Sequence, residues 1–304
     1  MTTRITNQMI SRSVLSDLND VSSRLSKTQQ KMSSGKQITR ASDDPYGTSR
    51  ALTLRSELAG TQQYQRNVSE ATAWQDVTDS ALASMSDAVQ RARELAVQGA
   101  SDSAGAAART AAAQEIDQLI ESVKQAANAS YSGHYVFSGT ATSTPPYVVA
   151  GSDAYAGNSG VVAREIGPGV SVQVNALGSS VLGSGQAAAD GKLLATLRDI
   201  SQHLKSGTTA DANALRTTDL KNLDTNVDTI NTVRATVGAT TNRLASADGR
   251  LQQVEESTTK LLSDVEDADM AKTYTDFSMQ QSVYQSALKA GSNIVQQSLL
   301  DFLR

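Results

Sequence analysis

The chain has 304 residues, with 27 Lys and Arg against 31 Asp and Glu, for a net charge of −4. It contains no cysteine, which excludes disulfides, thiol nucleophiles, thiolate zinc sites and iron–sulfur clusters. The slight acidity offers no basic surface for nucleic acid, and aromatic residues make up only 4% with a single Trp74, a composition that suits long helices packed through small residues better than a compact enzyme core.

Met1-Thr2-Thr3-Arg4-Ile5 shows no cationic segment followed by an apolar run, so no cleaved signal peptide is expected. No stretch of about 18 apolar residues occurs, so no membrane-spanning helix is expected either. From Asn7 to Met32 the pattern is helical. Ser11, Val14, Leu18, Val21, Leu25, Thr28, Met32 and Gly35 step by threes and fours, a narrow heptad seam. Ser33-Ser34-Gly35-Lys36 ends that helix, with Gly supplying the left-handed turn. Ser42-Asp43-Asp44-Pro45 starts the next: a capping side chain, acids at the positive end of the dipole, and Pro in the first turn.

Helical patterning continues from Pro45 to Gly99, a helix of about 80 Å if unbroken, with Gly47 and Gly60 as its weak points. A small-residue turn over 100–106 leads into a further helix to Ser130. His134–Gly139 then alternates as a strand does. Pro145–Val149, Gly160–Ile166 and Val170–Asn175 read as three more strands, a β insertion of about forty residues, too small for a generous core of its own. Helix returns over 187–205 and again from Asp211 to Ser263. The acidic link Ser263–Asp269 leads into a last helix. There Met270, Tyr274, Phe277, Gln281, Tyr284, Leu288, Gly291, Val295, Ser298 and Phe302 form a second heptad seam, flanked by a stripe of Met279, Val283, Ala287, Ala290 and Ile294. Matching seams at the two termini are expected to pair as an antiparallel coiled coil.

The expected fold is mainly α: a long antiparallel helical rod with terminal coiled-coil helices and a small central β insertion. The domains are a terminal-helix domain of 1–35 and 268–304, a rod of 36–139 and 187–267 with links at 36–44 and 263–269, and a β domain of 140–186. The residues expected to pack in assembly are Val14, Leu18, Val21, Leu25, Met32, Phe277, Val283, Tyr284, Leu288, Ile294, Val295, Leu299, Leu300, Phe302 and Leu303. The stripe left uncovered by the terminal pair, Val283 and Ile294 within it, is the expected contact between subunits.

Sites for chemistry are scarce. The two histidines, His134 and His203, lack metal-ligand spacing, and Asp43-Asp44 is better explained as a helix cap than as a catalytic pair. Asp264, Glu266, Asp267 and Asp269 resemble a calcium loop in charge only, since the twelfth position is Thr275. Ser34-Gly35-Lys36 looks like the end of a phosphate loop, but Gln30 stands where its upstream glycine belongs. No catalytic set, metal site or cofactor is expected.

Ser33-Ser34-Gly35-Lys36-Gln37-Ile38-Thr39-Arg40-Ala41-Ser42-Asp43-Asp44-Pro45 resembles the N-terminal signature of the bacterial flagellin superfamily. Arg4–Met9, Lys36 and Pro45 of that signature, Gln280-Gln281 and the run Gln296–Leu303 resemble its branch at the hook–filament junction more than the filament flagellins, and Asp264–Asp269 is similar in style to both. Ser34, Gly35, Lys36, Ser42, Asp43, Asp44 and Pro45 carry the signature. The resemblance implies a structural adaptor, not an enzyme, exported unfolded by the flagellar type III apparatus and located outside the cell. The partners it implies are hook-associated protein 1, flagellin, further copies of the chain in a ring, and an export chaperone on the C-terminal helix. Filament flagellin, or a binding module on the β insertion, are the alternatives.

Overall fold

The computed structural model describes residues 7–101, 104–188 and 190–302, with side chains described for Met9 and from Arg12 to Ser292 within those ranges. It is mainly α. The elements run α1 (Asn7–Ser34), α2 (Pro45–Gly99), α3 (Ala106–Ala127), β1 (Ser130–Tyr131), β2 (His134–Tyr135), β3 (Ala163–Gly167), β4 (Val170–Gln173), α4 (Gly178–Val181), α5 (Leu193–Ser206), α6 (Thr209–Ala214), α7 (Leu220–Glu266) and α8 (Met270–Phe302). A π-helical turn over Leu215–Asp219 joins α6 to α7. Gly60 lies within α2 and Gly238 within α7 without ending either helix. The chain divides into two compact units, Met1–Gly60 with Val254–Arg304, and Thr61–Gln253. The division falls inside α2 and α7, and the two small antiparallel sheets, β1–β2 and β3–β4, belong to the second unit.

The second unit carries the continuous apolar core. Leu82, Met85 and Val89 of α2, Ile116 and Ile120 of α3, Leu193 and Leu197 of α5, and Leu223, Ile230 and Leu244 of α7 are buried together. Within this unit α2 and α7 run antiparallel. Arg234 forks onto Asp79 (Nε–Oδ1 2.9 Å), Arg93 meets Asp224 (2.9 Å), and Arg216 Nε donates to the Ala100 carbonyl (2.8 Å), so rising numbers on one helix meet falling numbers on the other.

The sheets are smaller than the sequence predicts. Of His134–Gly139, His134 and Tyr135 form a strand in register with Tyr131 and Ser130, and Ser138 makes a single antiparallel bridge to Leu177; Val136 and Phe137 are buried in the core. Pro145–Val149 is not a strand. Pro145 and Pro146 have no N–H for a ladder, and the Asn128 amide takes the place of a partner strand at Tyr147: Tyr147 N donates to Oδ1 (3.1 Å) and Nδ2 donates to the Tyr147 carbonyl (2.7 Å). The Tyr147 hydroxyl reaches the Gly183 carbonyl at 2.6 Å, fixing the loop against the start of the next segment. The strands expected at Gly160–Ile166 and Val170–Asn175 form as the shorter β3 and β4, which pair antiparallel with an irregularity between Glu165 and Gly167.

What anchors the loop around 148–153 is an ion network that periodicity does not reveal. Lys124 of α3 is fully buried. Its ammonium donates to the Gly151 carbonyl (2.9 Å) and lies 2.6 Å from Asp153, while Arg198 of α5 grips Asp153 from the other side (Nε 2.8 Å, Nη2 3.1 Å). Burial works to raise the Asp153 pKa, but the Arg198 and Lys124 hydrogen bonds outweigh it and hold the carboxyl below its usual range. A depressed pKa means that Asp153 contributes stability in full above its unfolded value of about 3.9 and loses it as pH falls through the lower folded value. Asp153→Ala leaves the buried ammonium short of a counter-ion and is expected to destabilise the second unit by about 3 kcal/mol, roughly 10 °C in Tm. Arg93→Ala, which breaks an exposed pair, should cost less than about 1 kcal/mol. Thermal melts of both variants at pH 7 check this; equal Tm values would deny the network its role.

Candidate assembly surface

In the first unit, α1 and α8 lie antiparallel, and their register can be read from four contacts at three levels. Near the links, Gln37 N donates to the Glu266 carbonyl (2.7 Å) and Ala268 N to the Gly35 carbonyl (2.9 Å). Midway, the Thr28 hydroxyl donates to Gln280 Oε1 at 2.7 Å. Farther along, a Cβ on Gly291 would sit 3.2 Å from Val14 Cγ1. A heptad seam with a glycine at that point lets the helices approach.

On α1 the inward side chains are Val14, Leu18, Val21, Leu25, Thr28 and Met32: Thr28 is buried and the others are half-buried. On α8 the inward positions among described side chains are Thr273, Phe277, Gln280, Tyr284, Ala287 and Gly291, again in steps of four and three. Phe277, Tyr284 and Gly291 belong to the seam expected from sequence. Met270, Tyr274, Gln281 and Leu288 of that expectation are exposed, and Thr273, Gln280 and Ala287 take the inward places of the last three, each one position earlier. The physical reason is that one narrow helix covers only one strip of α8. Met270, Tyr274 and Leu288 fall on one side of that strip, Met279 and Val283 on the other, at about 100° per residue. Val283 is 48% exposed and Leu288 43%. The side chains of Ile294, Val295, Leu299, Leu300 and Phe302, and Leu303 altogether, lie outside the described residues.

The links form a strap across the base of this pair. Gly35 adopts the left-handed conformation (φ +68°) and turns the chain out of α1. Lys36 then bridges to Asp267 (2.6 Å) and Glu266 (3.4 Å), and Arg55 from α2 also bonds Glu266. Glu266 is buried, so two cations neutralise one carboxylate withdrawn from water, the condition for tolerating it there. The Asp267 hydrogen bond raises the Lys36 pKa, and Lys36 with Ser263 lowers that of Asp267. Asp43 turns back onto Thr39 and the Arg40 amide (both 3.0 Å), with Lys27 at 4.0 Å. The Thr39 hydrogen bond is the largest cause of its lowered pKa. Asp44 caps α2 by accepting from Gly47 N (2.9 Å), and Asp269 caps α8 by accepting from Ala271 N and Lys272 N. Ser34, Ser42, Asp43, Asp44 and Pro45 are exposed. The acidic link is thus a set of caps and counter-ions. The Lys36–Glu266–Arg55 cluster is the part sequence reasoning missed, since single charges carry no period that marks which of them meet across more than two hundred positions.

The first unit buries little else. Ala51 and Leu54 are its fully buried apolar side chains among the described residues. Among the described residues, eleven of the sixteen large apolar side chains left exposed belong to it, Tyr46, Leu52, Leu261 and Tyr274 among them, although it is the smaller unit. Exposed apolar surface on this scale marks interaction sites. Among the described residues no group of three or more His, Cys, Asp or Glu could hold a metal ion, and no helix is long and apolar enough to cross a membrane. His203 pairs with Asp219 at 2.7 Å, and His134 with Thr142 at 3.1 Å.

Gly47 marks the tightest point of the strap. A Cβ there would lie 2.4 Å from Asp44 Oδ2 and 2.6 Å from Ile38 Cδ1. Gly47→Ala is therefore expected to displace the cap and cost about 1–3 kcal/mol, despite alanine's better helix propensity. Gly60→Ala meets nothing within 4 Å and should stabilise by up to about 1 kcal/mol. Chemical denaturation of the two variants separates these signs; a stabilised Gly47→Ala protein would count against the close approach.

Residues 5–142 match the family model described as the bacterial flagellin N-terminal helical region, and residues 220–303 match that of the bacterial flagellin C-terminal helical region. The chain is 26% identical over 304 residues to flagellar hook-associated protein 3 of Escherichia coli, covering 94% of this chain and 95% of that one. It is 28% identical over 280 residues to flagellin FlaB2 of Treponema pallidum, covering 91% and 92%. Among solved structures, Bacillus cereus FlgL superposes with a TM-score of 0.58 at 22% identity, over 69% of this chain and 99% of that one. The flagellar hook-associated protein-3 of Legionella pneumophila superposes with a TM-score of 0.60 at 15% identity, over 70% and 98%.

Proposed function

We propose that this chain, which belongs to the bacterial flagellin superfamily, is the structural adaptor of the flagellum that joins the hook to the flagellin filament. The observation that carries this reading is the terminal-helix pair. Its seam is closed within the chain, yet apolar side chains stand exposed on both sides of it. A surface of that kind is stable only when neighbouring subunits cover it. The resemblance of Arg4–Met9, Lys36, Pro45, Gln280-Gln281 and Gln296–Leu303 to the junction branch supports the junction over the filament, and similarity extends along almost the whole of the Escherichia coli hook-associated protein 3.

On this reading the residues that pack in assembly are those of the terminal pair: Val14, Leu18, Val21, Leu25 and Met32 on α1, and Phe277, Val283, Tyr284 and Leu288 on α8 together with Ile294, Val295, Leu299, Leu300, Phe302 and Leu303. The partners are hook-associated protein 1 on one side, flagellin on the other and further copies of the chain around the ring. An export chaperone covers the C-terminal helix before secretion, and the chain acts outside the cell without catalysing a reaction.

Filament flagellin is the second reading, favoured by the 28% identity to flagellin FlaB2. Polymerisation of the purified chain distinguishes the two. A junction subunit is expected not to elongate by itself but to add to hook-associated protein 1 and accept flagellin; long filaments of this chain alone would establish the flagellin reading instead. Val283→Asp places a charge in the exposed stripe and is expected to lower incorporation at least tenfold while leaving the melt of the second unit unchanged. Normal incorporation of that variant would remove the stripe from the interface.

A further inference from the structure

The β3–β4 hairpin has two outer edges, and the fold covers one of them. Val174 N donates to the Val162 carbonyl (2.9 Å), and the same register continues through Arg164 and Val172. Residues along an antiparallel ladder bond alternately toward the partner strand and away from it. The main-chain N–H and C=O of Glu165 on β3, and of Ser171 and Gln173 on β4, therefore point outward. On the β3 side α2 closes the edge, where Asn67 Nδ2 donates to the Glu165 carbonyl at 2.8 Å. On the β4 side no described residue bonds the main chain of Ser171 or Gln173.

The usual guards of a free edge are missing there. Val170–Asn175 carries no charge and no proline, Ser171 and Gln173 are exposed, and the ladder's irregularity lies between Glu165 and Gly167 on the other strand. An unguarded edge is a template for a further strand. Beside it a groove of about 390 Å³ runs between the β4 segment and α7. Gln173 and Leu177 stand on one wall, and Val233, Val237, Thr240 and Arg243 on the other. The α7 wall is about 15 Å long at the helical rise, the span of about four to five residues of strand. Arg243 is exposed, and no described carboxylate pairs with it.

These features select the occupant by chemistry. A helix could not use the Ser171 and Gln173 main-chain groups, because its own are bonded internally. A small anion would meet Arg243 and leave the edge and the valines unused. An extended chain matches all three: its backbone on the edge, alternate side chains over Val233 and Val237, and a carboxylate on the guanidinium. We propose that β4 takes up an extended acidic segment of a partner protein as a third strand, at a surface made of residues distinct from those of the terminal pair.

The probe is a fluorescein-labelled peptide of about seven residues, alternating valine and threonine around a central aspartate. Its lysine counterpart and a form N-methylated at every amide are the controls. Titrated with full-length chain, the aspartate peptide should show saturable anisotropy with Kd on the order of 100 μM, the lysine peptide about tenfold weaker binding, and the methylated form none. Arg243→Glu should reverse the preference between aspartate and lysine. Gln173→Pro, which removes an outward N–H and keeps the ladder bonds of Val172 and Val174, should abolish binding with little change in the thermal melt. Amide exchange at Ser171 and Gln173 should slow when the aspartate peptide is added. No saturable binding, equal binding of the methylated peptide, an unaltered preference in Arg243→Glu or unchanged exchange at both amides overturns the proposal. So does a concentration-dependent dimer that Gln173→Pro abolishes while the peptide fails to bind, which would give the edge to a second copy of the chain.

Discussion

One helix can cover only a strip of another, and the first unit is built under that constraint. The α1–α8 seam places Val14, Leu18, Val21 and Leu25 against Phe277, Gln280, Tyr284 and Gly291, and the contact is thin: most of these side chains remain half-exposed. Apolar burial yields roughly 25 cal/mol per Å², whereas each ordered residue gives up roughly 1–2 kcal/mol of backbone entropy. A lone pair of long helices recovers little of that cost. The second unit differs because Phe137, Tyr147 and the inward faces of α2, α3, α5 and α7 enclose a shared core.

The strap makes the thin pair directional. Gly35 turns the chain, Lys36 and Arg55 converge on the buried Glu266, and the backbone exchange at Gln37–Glu266 and Gly35–Ala268 fixes where α1 must end relative to where α8 begins. Asp44 and Asp269 cap the helices leaving the strap. The register of α1 on α8 is thereby set by polar contacts at one end. Apolar side chains beside the seam, Met279, Val283 and Leu288 among them, stay exposed.

The mainly α class, the position of the long helices and the pairing of the termini could be read from sequence, because the 3.6-residue period persists over dozens of residues. The α1 seam was legible for a particular reason: Val14, Leu18, Val21, Leu25 and Met32 form the one apolar row on a helix whose remaining apolar residues are only Met9, Ile10 and Leu15. On α8 the same reading chose Met270, Tyr274 and Leu288, which face solvent, and passed over Thr273 and Gln280, which face α1. A helix apolar on several sides gives no period that singles out one of them, and the Thr28–Gln280 hydrogen bond made a polar position inward. Pro145–Val149 misled in another way, since the Asn128 amide imitates a strand that is not there. The networks around Asp153 and Glu266 were invisible because each joins single charges brought together only by the fold.

The central claim is that the terminal pair owes its order to burial by other subunits. Amide hydrogen exchange tests it most directly, comparing residues 12–32 and 270–292 in monodisperse full-length chain with the same residues after assembly onto hook-associated protein 1. The account predicts weak protection in the monomer, far below that of α3 and α5, rising sharply on assembly. Strong protection of both helices in the monomer, unchanged by assembly, would contradict it.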